Sequence, residues 1–226
     1  MHHHLEIVMP PTKNIEGAIR TILAPFDENA KASEEYSRSH AFWDWYVIGG
    51  RWSGHKLMAK YDAAKIEEFE NWMQQEHITV SSLQAGKQTL QPETQIPKVD
   101  AKWNEMFPSE KPVACPLFSH SNDQYGRNGL ADLLPDDVAL LKDVPASLKC
   151  SHIIIAGPGY EDKLGTSFML IDDAWNGVNF MKTAWDRTVT SAVDQYREQL
   201  KNYKDDYKAV RMPQADWLVV TVDYHS

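Results

Sequence analysis

The chain has 226 residues, a net charge of −9, and 42% hydrophobic and 11% aromatic residues. This length and composition favour a single domain, residues 1–226, with a substantial core. No apolar run approaches the ~18 residues of a membrane span, and no basic segment precedes a long apolar one, so we expect neither a membrane helix nor a signal peptide. The acidic balance argues against nucleic-acid binding, which depends on cationic contacts, and favours a protein or small-molecule partner.

The cysteines and the first residues also bear on the compartment. Cys115 and Cys150 belong to no Cys-x-x-Cys pair, which predicts reduced thiols in the cytoplasm rather than a disulfide framework. The start Met-His-His-His is compatible with a shortened affinity tag or with a native segment, because it leads directly into an apolar alternation.

The first third of the chain predicts two strands and two helices. Residues 4–9 alternate like a strand and are followed by two prolines. Asn14 is a suitable N-cap for a helix with apolar residues at helical spacing, and a polar loop is expected over 27–40. Residues 45–52 indicate an extended segment bent at a glycine pair, and Asp62 can cap a second helix.

The rest of the chain predicts an irregular region followed by strands. Five prolines and a turn-rich segment make residues 84–129 irregular, and we expect a short helix over 136–141 to close a loop-rich insertion spanning 84–150. Strands are then predicted at 151–156, and as a hairpin at 166–171 and 178–181. A long helix over 185–203 and a strand over 217–224 complete the pattern.

Adjacent strands and few βαβ units predict an α+β fold with a mostly antiparallel sheet and helices packed on one face. Among such folds we favour a ferredoxin-like core carrying the insertion. In that core the last strand lies antiparallel to the first, which would bring the end of the chain beside its beginning.

Several segments together resemble a family of bacteriophage-encoded proteins of unknown function. Residues 43–52 read Trp-Asp-Trp-Tyr-Val-Ile-Gly-Gly-Arg-Trp, and residues 23–29 read Leu-Ala-Pro-Phe-Asp-Glu-Asn. The family typically ends in a strand closing with Val-Asp-Cys-His, where this chain has Tyr224 in place of cysteine, which argues against thiol chemistry there. A strand with a Trp-containing turn, as in residues 167–175, is a further likeness. The resemblance implies a phage or prophage accessory protein acting in the cytoplasm of a bacterial host, and it implies no activity.

The aromatic, arginine and glycine residues of the motif are the main candidate for a binding surface. Aromatic faces can stack on a planar ring, and an arginine can bind an anion or pair with Asp44. The competing interpretation is a structural corner with buried tryptophans, an Arg51–Asp44 pair and a glycine bulge. The candidate residues are Trp43, Asp44, Trp45, Tyr46, Gly49, Gly50, Arg51 and Trp52.

The chain end supplies a second candidate site. Asp223 and His225 are two residues apart on a strand and therefore share a face. In the expected sheet, His225 would approach His2 and His4, and these imidazoles together with the Asp223 carboxylate could bind zinc or another divalent metal. Alternatively, His225 could act as a general base oriented by Asp223. A plain strand end with exposed polar residues is the structural alternative.

A third candidate lies in the irregular region, where His120 and Asp123 could serve as acid–base groups in a loop that lines a pocket. An ordinary solvated loop explains the same composition. The chain contains no phosphate-binding loop, dinucleotide-binding fingerprint, metalloprotease motif or nucleophile elbow.

Two functions are consistent with these features. The first is an accessory protein that binds a host protein or a small nucleotide-like ligand through the aromatic motif, with a counter-defence role. The second is a metal-dependent hydrolase or phosphoesterase that uses Asp223 and His225.

Overall fold

The computed structural model describes residues 2–29, 41–82, 88–91, 93–109, 112, 114–119, 127–128, 137–156, 168–170, 188–202 and 204–226. The predicted α+β class is confirmed. The chain divides into two compact units, one made of Met1–Ile48 with Val138–Ser226 and the other of Gly49–Asp137. The division into domains stays a prediction, but the second unit begins at Gly49, well before the insertion expected from residue 84. None of the helices in the described residues is both long and apolar enough to cross a membrane.

Ten strands and six helices alternate irregularly along the described residues. The strands are β1 His2–Met9, β2 Trp45–Gly50, β3 Thr79–Ser82, β4 Gln88–Gln91, β5 Phe118–Ser119, β6 Arg127–Asn128, β7 Val138–Leu140, β8 His152–Ala156, β9 Phe168–Leu170 and β10 Leu218–His225. The helices are α1 Ile15–Leu23, α2 His55–Met58, α3 Ala63–Gln75, α4 Ile96–Met106, α5 Val189–Leu200 and α6 Asp205–Arg211. Short 3₁₀ turns lie at Ala24–Phe26, Glu93–Gln95 and Leu141–Asp143.

A mixed sheet organises the first unit, with strand order β2-β10-β1-β8-β9 and β7 paired to β10. The last strand runs antiparallel to the first, as expected for the ferredoxin-like arrangement, and their register pairs His2 with His225 and Met9 with Leu218. Strand β8 runs parallel to β1, so this one pair departs from a purely antiparallel sheet. The first and last strands therefore occupy the middle of the sheet.

The core of the first unit surrounds strand β1. Every residue from His3 to Met9 is buried, and because successive side chains point to opposite faces, both faces of this strand are covered. Helix α1 begins where the Asn14 side chain accepts a hydrogen bond from the Gly17 amide, and it buries one stripe of its surface. Helix α5 begins at a capping box formed by Thr188 and Ser191.

The structure differs from the sequence prediction in three places. The segment expected as a short helix at 136–141 is strand β7, which pairs with β10 and then enters a 3₁₀ turn. The region expected to be irregular contains helix α4, because its proline, Pro97, occupies the first turn, where the missing amide costs nothing. Strands β4, β5 and β6 also lie in that region. The second strand of the expected hairpin, at 178–181, lies outside the described residues.

The second unit has a core of its own. Helices α3 and α4 pack through apolar side chains, and the fully buried Trp103 contacts Phe107 with ring centroids 4.2 Å apart. The Asp62 side chain caps α3 by accepting from the Ala64 amide at 2.8 Å, as the sequence predicted. The buried members of this cluster are Leu57, Phe69, Met73, Val99, Trp103, Phe107, Cys115 and Phe118.

Candidate functional site

Polar residues meet where three strands of the first unit end together. The last residue of β10, His225, lies opposite His2 of β1 on one side and Trp45 of β2 on the other. Asp223 lies opposite His4 and Val47 in the same way. Since paired residues share a face of a sheet, the strand ends bring two histidines, a carboxylate and an indole to one place. We refer to His2, Asp44, Trp45, Asp223 and His225 as the strand-end site.

The first histidine of this site is held by a buried carboxylate. His2 Nδ1 lies 3.0 Å from Asp223 Oδ1, and the Asp223 side chain has no exposed surface. The His2 side chain keeps 17% of its surface exposed. A buried carboxylate is strongly unfavourable without hydrogen-bond donors, so Asp223 fixes the orientation of the His2 ring.

A second carboxylate holds the other histidine at the surface. His225 Nδ1 lies 2.8 Å from Asp44 Oδ1, and both side chains are 40% exposed. The backbone supports this pair, because the Asp44 amide donates to the His225 carbonyl oxygen at 3.0 Å. The side-chain amide of Asn29 donates to the Asp44 carbonyl oxygen at 3.1 Å. The partner of His225 is therefore Asp44, whereas Asp223, which the sequence suggested for that role, orients His2.

The two imidazoles are close neighbours. The ring centroids of His2 and His225 lie 5.2 Å apart, and the His2 ring meets the Trp45 indole edge-on at 5.7 Å. An ionised carboxylate only accepts hydrogen bonds, so each ring carries its proton on Nδ1 when neutral and has a lone pair on Nε2. Neither Nε2 atom has a hydrogen-bond partner within the described part of the chain. Two oriented imidazoles thus lie edge to face, each with an Nε2 that its carboxylate partner does not occupy.

Trp45 is the exposed member of the aromatic motif. It retains 38% of its surface, more than any other large hydrophobic side chain among the described residues. Trp43 is half-buried, with its indole N–H donating to the Leu23 carbonyl oxygen at 2.9 Å. The Trp43 ring packs edge-on against Tyr46 at 4.9 Å. Trp45 is therefore exposed at the strand end, whereas Trp43 and Tyr46 pack against each other.

A further row of polar groups continues along the same face of the sheet. His4 Nε2 lies 2.8 Å from Glu6 Oε1, and Thr221 Oγ1 donates to the same oxygen at 2.9 Å. All three side chains are buried. Sequence reasoning missed Glu6 and Thr221. The register of β1 against β10 could have identified them, because pairing residue 2 with residue 225 places residue 6 opposite residue 221.

The opposite face of these strands carries a cluster of neutral groups. The Tyr224 hydroxyl lies 2.5 Å from His152 Nδ1, and the His3 ring stacks on Tyr224 at 5.0 Å. Burial, together with the neighbouring His3 and His4, lowers the pKa of His152 to about 3. Burial also raises the pKa of Tyr224 well above its usual value. The Tyr224 hydroxyl and His152 Nδ1 therefore share a hydrogen bond between two neutral groups.

The downstream half of the aromatic motif lies in the second unit. Gly49 and Gly50 adopt positive φ angles of 79° and 57°, which form the bend that the sequence predicted. After the bend, the buried carboxylate of Asp137 accepts from the Gly54 amide at 2.6 Å and from the Ser53 hydroxyl. Lys56, also buried, donates to the Asp137 carbonyl oxygen at 3.1 Å.

Arg51 and Trp52 are half-buried in this second unit. The Trp52 ring packs edge-on against His55 at 5.1 Å. The carboxylate that the sequence suggested as the partner of Arg51, that of Asp44, bonds to His225 instead.

The remaining predictions concern metal and acid–base residues. His2 lies beside His225 as expected, but His4 is bonded to Glu6, and no group of three His, Cys, Asp or Glu side chains in the described residues is arranged to hold a metal ion. His120 and Asp123 lie outside the described residues. Comparison of the chain with known protein families, curated proteins and solved structures finds no match.

Proposed function

We propose that the protein binds a small nucleotide-like ligand at the strand-end site. The observation that carries this proposal is the side-by-side placement of two imidazoles, each fixed through Nδ1 by a carboxylate, next to an exposed indole. The two Nε2 atoms suit the oxygens of a phosphoryl group, because a protonated imidazole donates a charge-assisted hydrogen bond to such an oxygen. The indole suits a planar base, since base–aromatic stacking is worth ~1–3 kcal/mol per base.

Exposure of the site favours a small ligand over a protein partner. A stable protein interface buries about 800 Å² on each partner and usually centres on several aromatic or arginine anchors. Within the residues that the structure describes, Trp45 is the large hydrophobic side chain offered to solvent. One indole beside two partly exposed imidazoles matches the size of a mononucleotide better than that of a protein surface.

The family resemblance points to the cell in which this binding would take place. A phage or prophage accessory protein acts inside a bacterial host cell, where nucleotides are abundant and also serve as signals. Sequestration of a nucleotide would then be the way in which the protein affects its host, including as a counter-defence factor.

Calorimetric titration with four probes tests the proposal. We expect adenosine monophosphate to bind more tightly than ribose 5-phosphate, which lacks the base, or adenosine, which lacks the phosphate. Inorganic phosphate should bind most weakly. Equal affinities of adenosine monophosphate and ribose 5-phosphate would argue against stacking on Trp45, and no binding of any probe would contradict the proposal.

Two variants localise the binding. Trp45→Ala should weaken the binding of adenosine monophosphate by roughly 10- to 100-fold, the equivalent of one lost stacking contact. The affinity for ribose 5-phosphate should not change. Trp43→Phe is the matched control, because it lies on the same segment but packs against Tyr46 instead of the imidazoles. Thermal unfolding of both variants checks that the fold is retained.

A further inference from the structure

We propose that His2 and His225 are a general acid–base pair that hydrolyses a phosphodiester of a nucleotide, with Asp223 and Asp44 as positioning residues. The inference rests on the proposed nucleotide site and adds a reaction to it. Its support is geometric: two imidazoles with centroids 5.2 Å apart can reach different oxygens of one phosphoryl group. Each imidazole is fixed by a carboxylate in the tautomer that presents Nε2.

The paired arrangement suits direct attack by water. His2 contacts Asp223, Trp45 and His225, and His225 contacts Asp44 and His2, so neither imidazole touches a serine or cysteine nucleophile within the described residues. One neutral imidazole can therefore activate water while the other, protonated, serves the leaving group. General acid and general base contributions are each typically 10²- to 10⁴-fold in rate.

The reaction balances without a further reactant. The neutral imidazole removes a proton from water through Nε2 as the water oxygen forms a bond to phosphorus. The phosphorus–oxygen bond to the leaving nucleoside breaks, and the protonated imidazole gives its Nε2 proton to that alkoxide oxygen. The products are a phosphomonoester and an alcohol, and one proton has moved from one histidine to the other. Exchange with solvent restores the starting protonation states.

Imidazoles oriented by carboxylates also occur at metal centres, where the carboxylate holds the ligating ring. The described residues of the strand-end site offer two Nε2 atoms, whereas catalytic zinc usually takes three protein ligands. Acid–base chemistry is therefore the reaction that these residues favour, and a requirement for a divalent cation becomes an outcome of the test.

The test compares two phosphodiesters that differ in their leaving group. Thymidylyl-thymidine releases a nucleoside alkoxide that needs a proton, whereas thymidine 5′-p-nitrophenyl phosphate releases a phenolate that does not. We expect the full chain to hydrolyse both in the presence of a chelator. His2→Gln and His225→Gln should each lower kcat on thymidylyl-thymidine by roughly 10²- to 10⁴-fold. The variant that lacks the histidine acting as general acid should lose much less of its kcat on the nitrophenyl ester.

The positioning role of Asp44 can be tested separately. Asp44 is 40% exposed, so Asp44→Asn should fold normally and lower kcat with little change in KM. Its effect should also disappear in the His225→Gln background, because it acts through that ring. His77→Asn, a substitution of an exposed histidine in the second unit, is the control and should behave like the unaltered protein.

Three results would overturn the inference. These are hydrolysis that survives both histidine substitutions, hydrolysis that requires an added divalent cation, and the absence of hydrolysis in a protein that binds adenosine monophosphate. The last result would leave the binding function intact, so failure of the reaction and failure of the proposed function can be distinguished. Circular dichroism of each variant separates loss of chemistry from loss of fold.

Discussion

At the scale of single residues, two histidines on one face of the sheet are kept neutral by their surroundings. Burial and the positive N-terminus lower the pKa of His3, with His225 and His2 contributing as well. His152 is more deeply buried, and its Nδ1 shares a hydrogen bond with the hydroxyl of Tyr224, which burial keeps protonated. These groups lie on the face opposite the strand-end site, so we expect their protonation to affect the stability of the fold.

His152 should make the fold acid-sensitive. Its pKa is about 3 in the folded protein against 6.5 in an ordinary histidine, so below pH 6.5 the unfolded chain binds more protons. The free energy of unfolding should therefore fall as the pH drops from about 6.5 to 3, by at most ~1.4 kcal/mol per pH unit from this group. Urea unfolding at a series of pH values measures this slope.

Replacing His152 by a residue that does not titrate isolates its contribution to the pH dependence of the free energy of unfolding. In His152→Asn, the side-chain amide can still form a hydrogen bond with the Tyr224 hydroxyl near the position of Nδ1. We expect a shallower acid slope than in the unaltered protein. An unchanged slope in His152→Asn would show that other groups cause the acid sensitivity.

At the scale of elements, helix α3 ends in a Schellman motif on a non-glycine residue. The Ile78 amide donates to the Met73 carbonyl oxygen at 2.9 Å, and the His77 amide donates to Gln74 at 3.1 Å. His77 has a φ of 53°, the left-handed conformation that a side chain disfavours by roughly 1–2 kcal/mol. The motif is therefore complete in its hydrogen bonds but carries local strain.

Replacing His77 by glycine should relieve that strain. His77→Gly is expected to raise the free energy of unfolding by up to about 1 kcal/mol, less than the full conformational difference because glycine also gains freedom in the unfolded chain. His77→Ala, which keeps a Cβ, is the matched control and should give no increase. Equal stability of the glycine and alanine variants in urea unfolding would contradict this explanation.

Elements with strong local signals were predictable from sequence, and so was the pairing of the first and last strands, whereas the side-chain partners in the strand-end site were not. Asn14 and Asp62 cap helices as expected, and the apolar alternation of residues 4–9 became β1. Helix α4 was missed because Pro97, in its first turn, suggested a loop. In the strand-end site, the approach of His225 to His2 followed from the predicted antiparallel pairing. The carboxylate partner of each histidine did not follow from that pairing. Asp44 precedes β2, so its contact with His225 depends on how β2 pairs with β10.

At the scale of the whole molecule, the second unit carries a complete apolar cluster. All buried members of that cluster, from Leu57 to Phe118, come from within Gly49–Asp137. We therefore expect a fragment of residues 49–137 to fold alone and to unfold cooperatively on heating, with the combined fluorescence of Trp52, Trp72 and Trp103 as a probe. Phe69→Ala in the same fragment should abolish the transition, since removing a buried phenylalanine costs about 3–5 kcal/mol. A fragment without a cooperative transition would show that the unit depends on the rest of the chain.

The first unit depends on pairing between the two ends of the sequence, because residues 2–9 lie between β10 and β8. Contacts so distant along the chain are formed late and slowly in folding, since closing a long loop costs entropy before the strands pair. The same register has a mechanical consequence. A force applied between residues 2 and 226 would separate β1 from β10 one residue pair at a time, beginning with the pair His2 and His225. Stretching of single molecules would thus separate the two imidazoles at a low force, while the apolar rungs near Met9 are still closed.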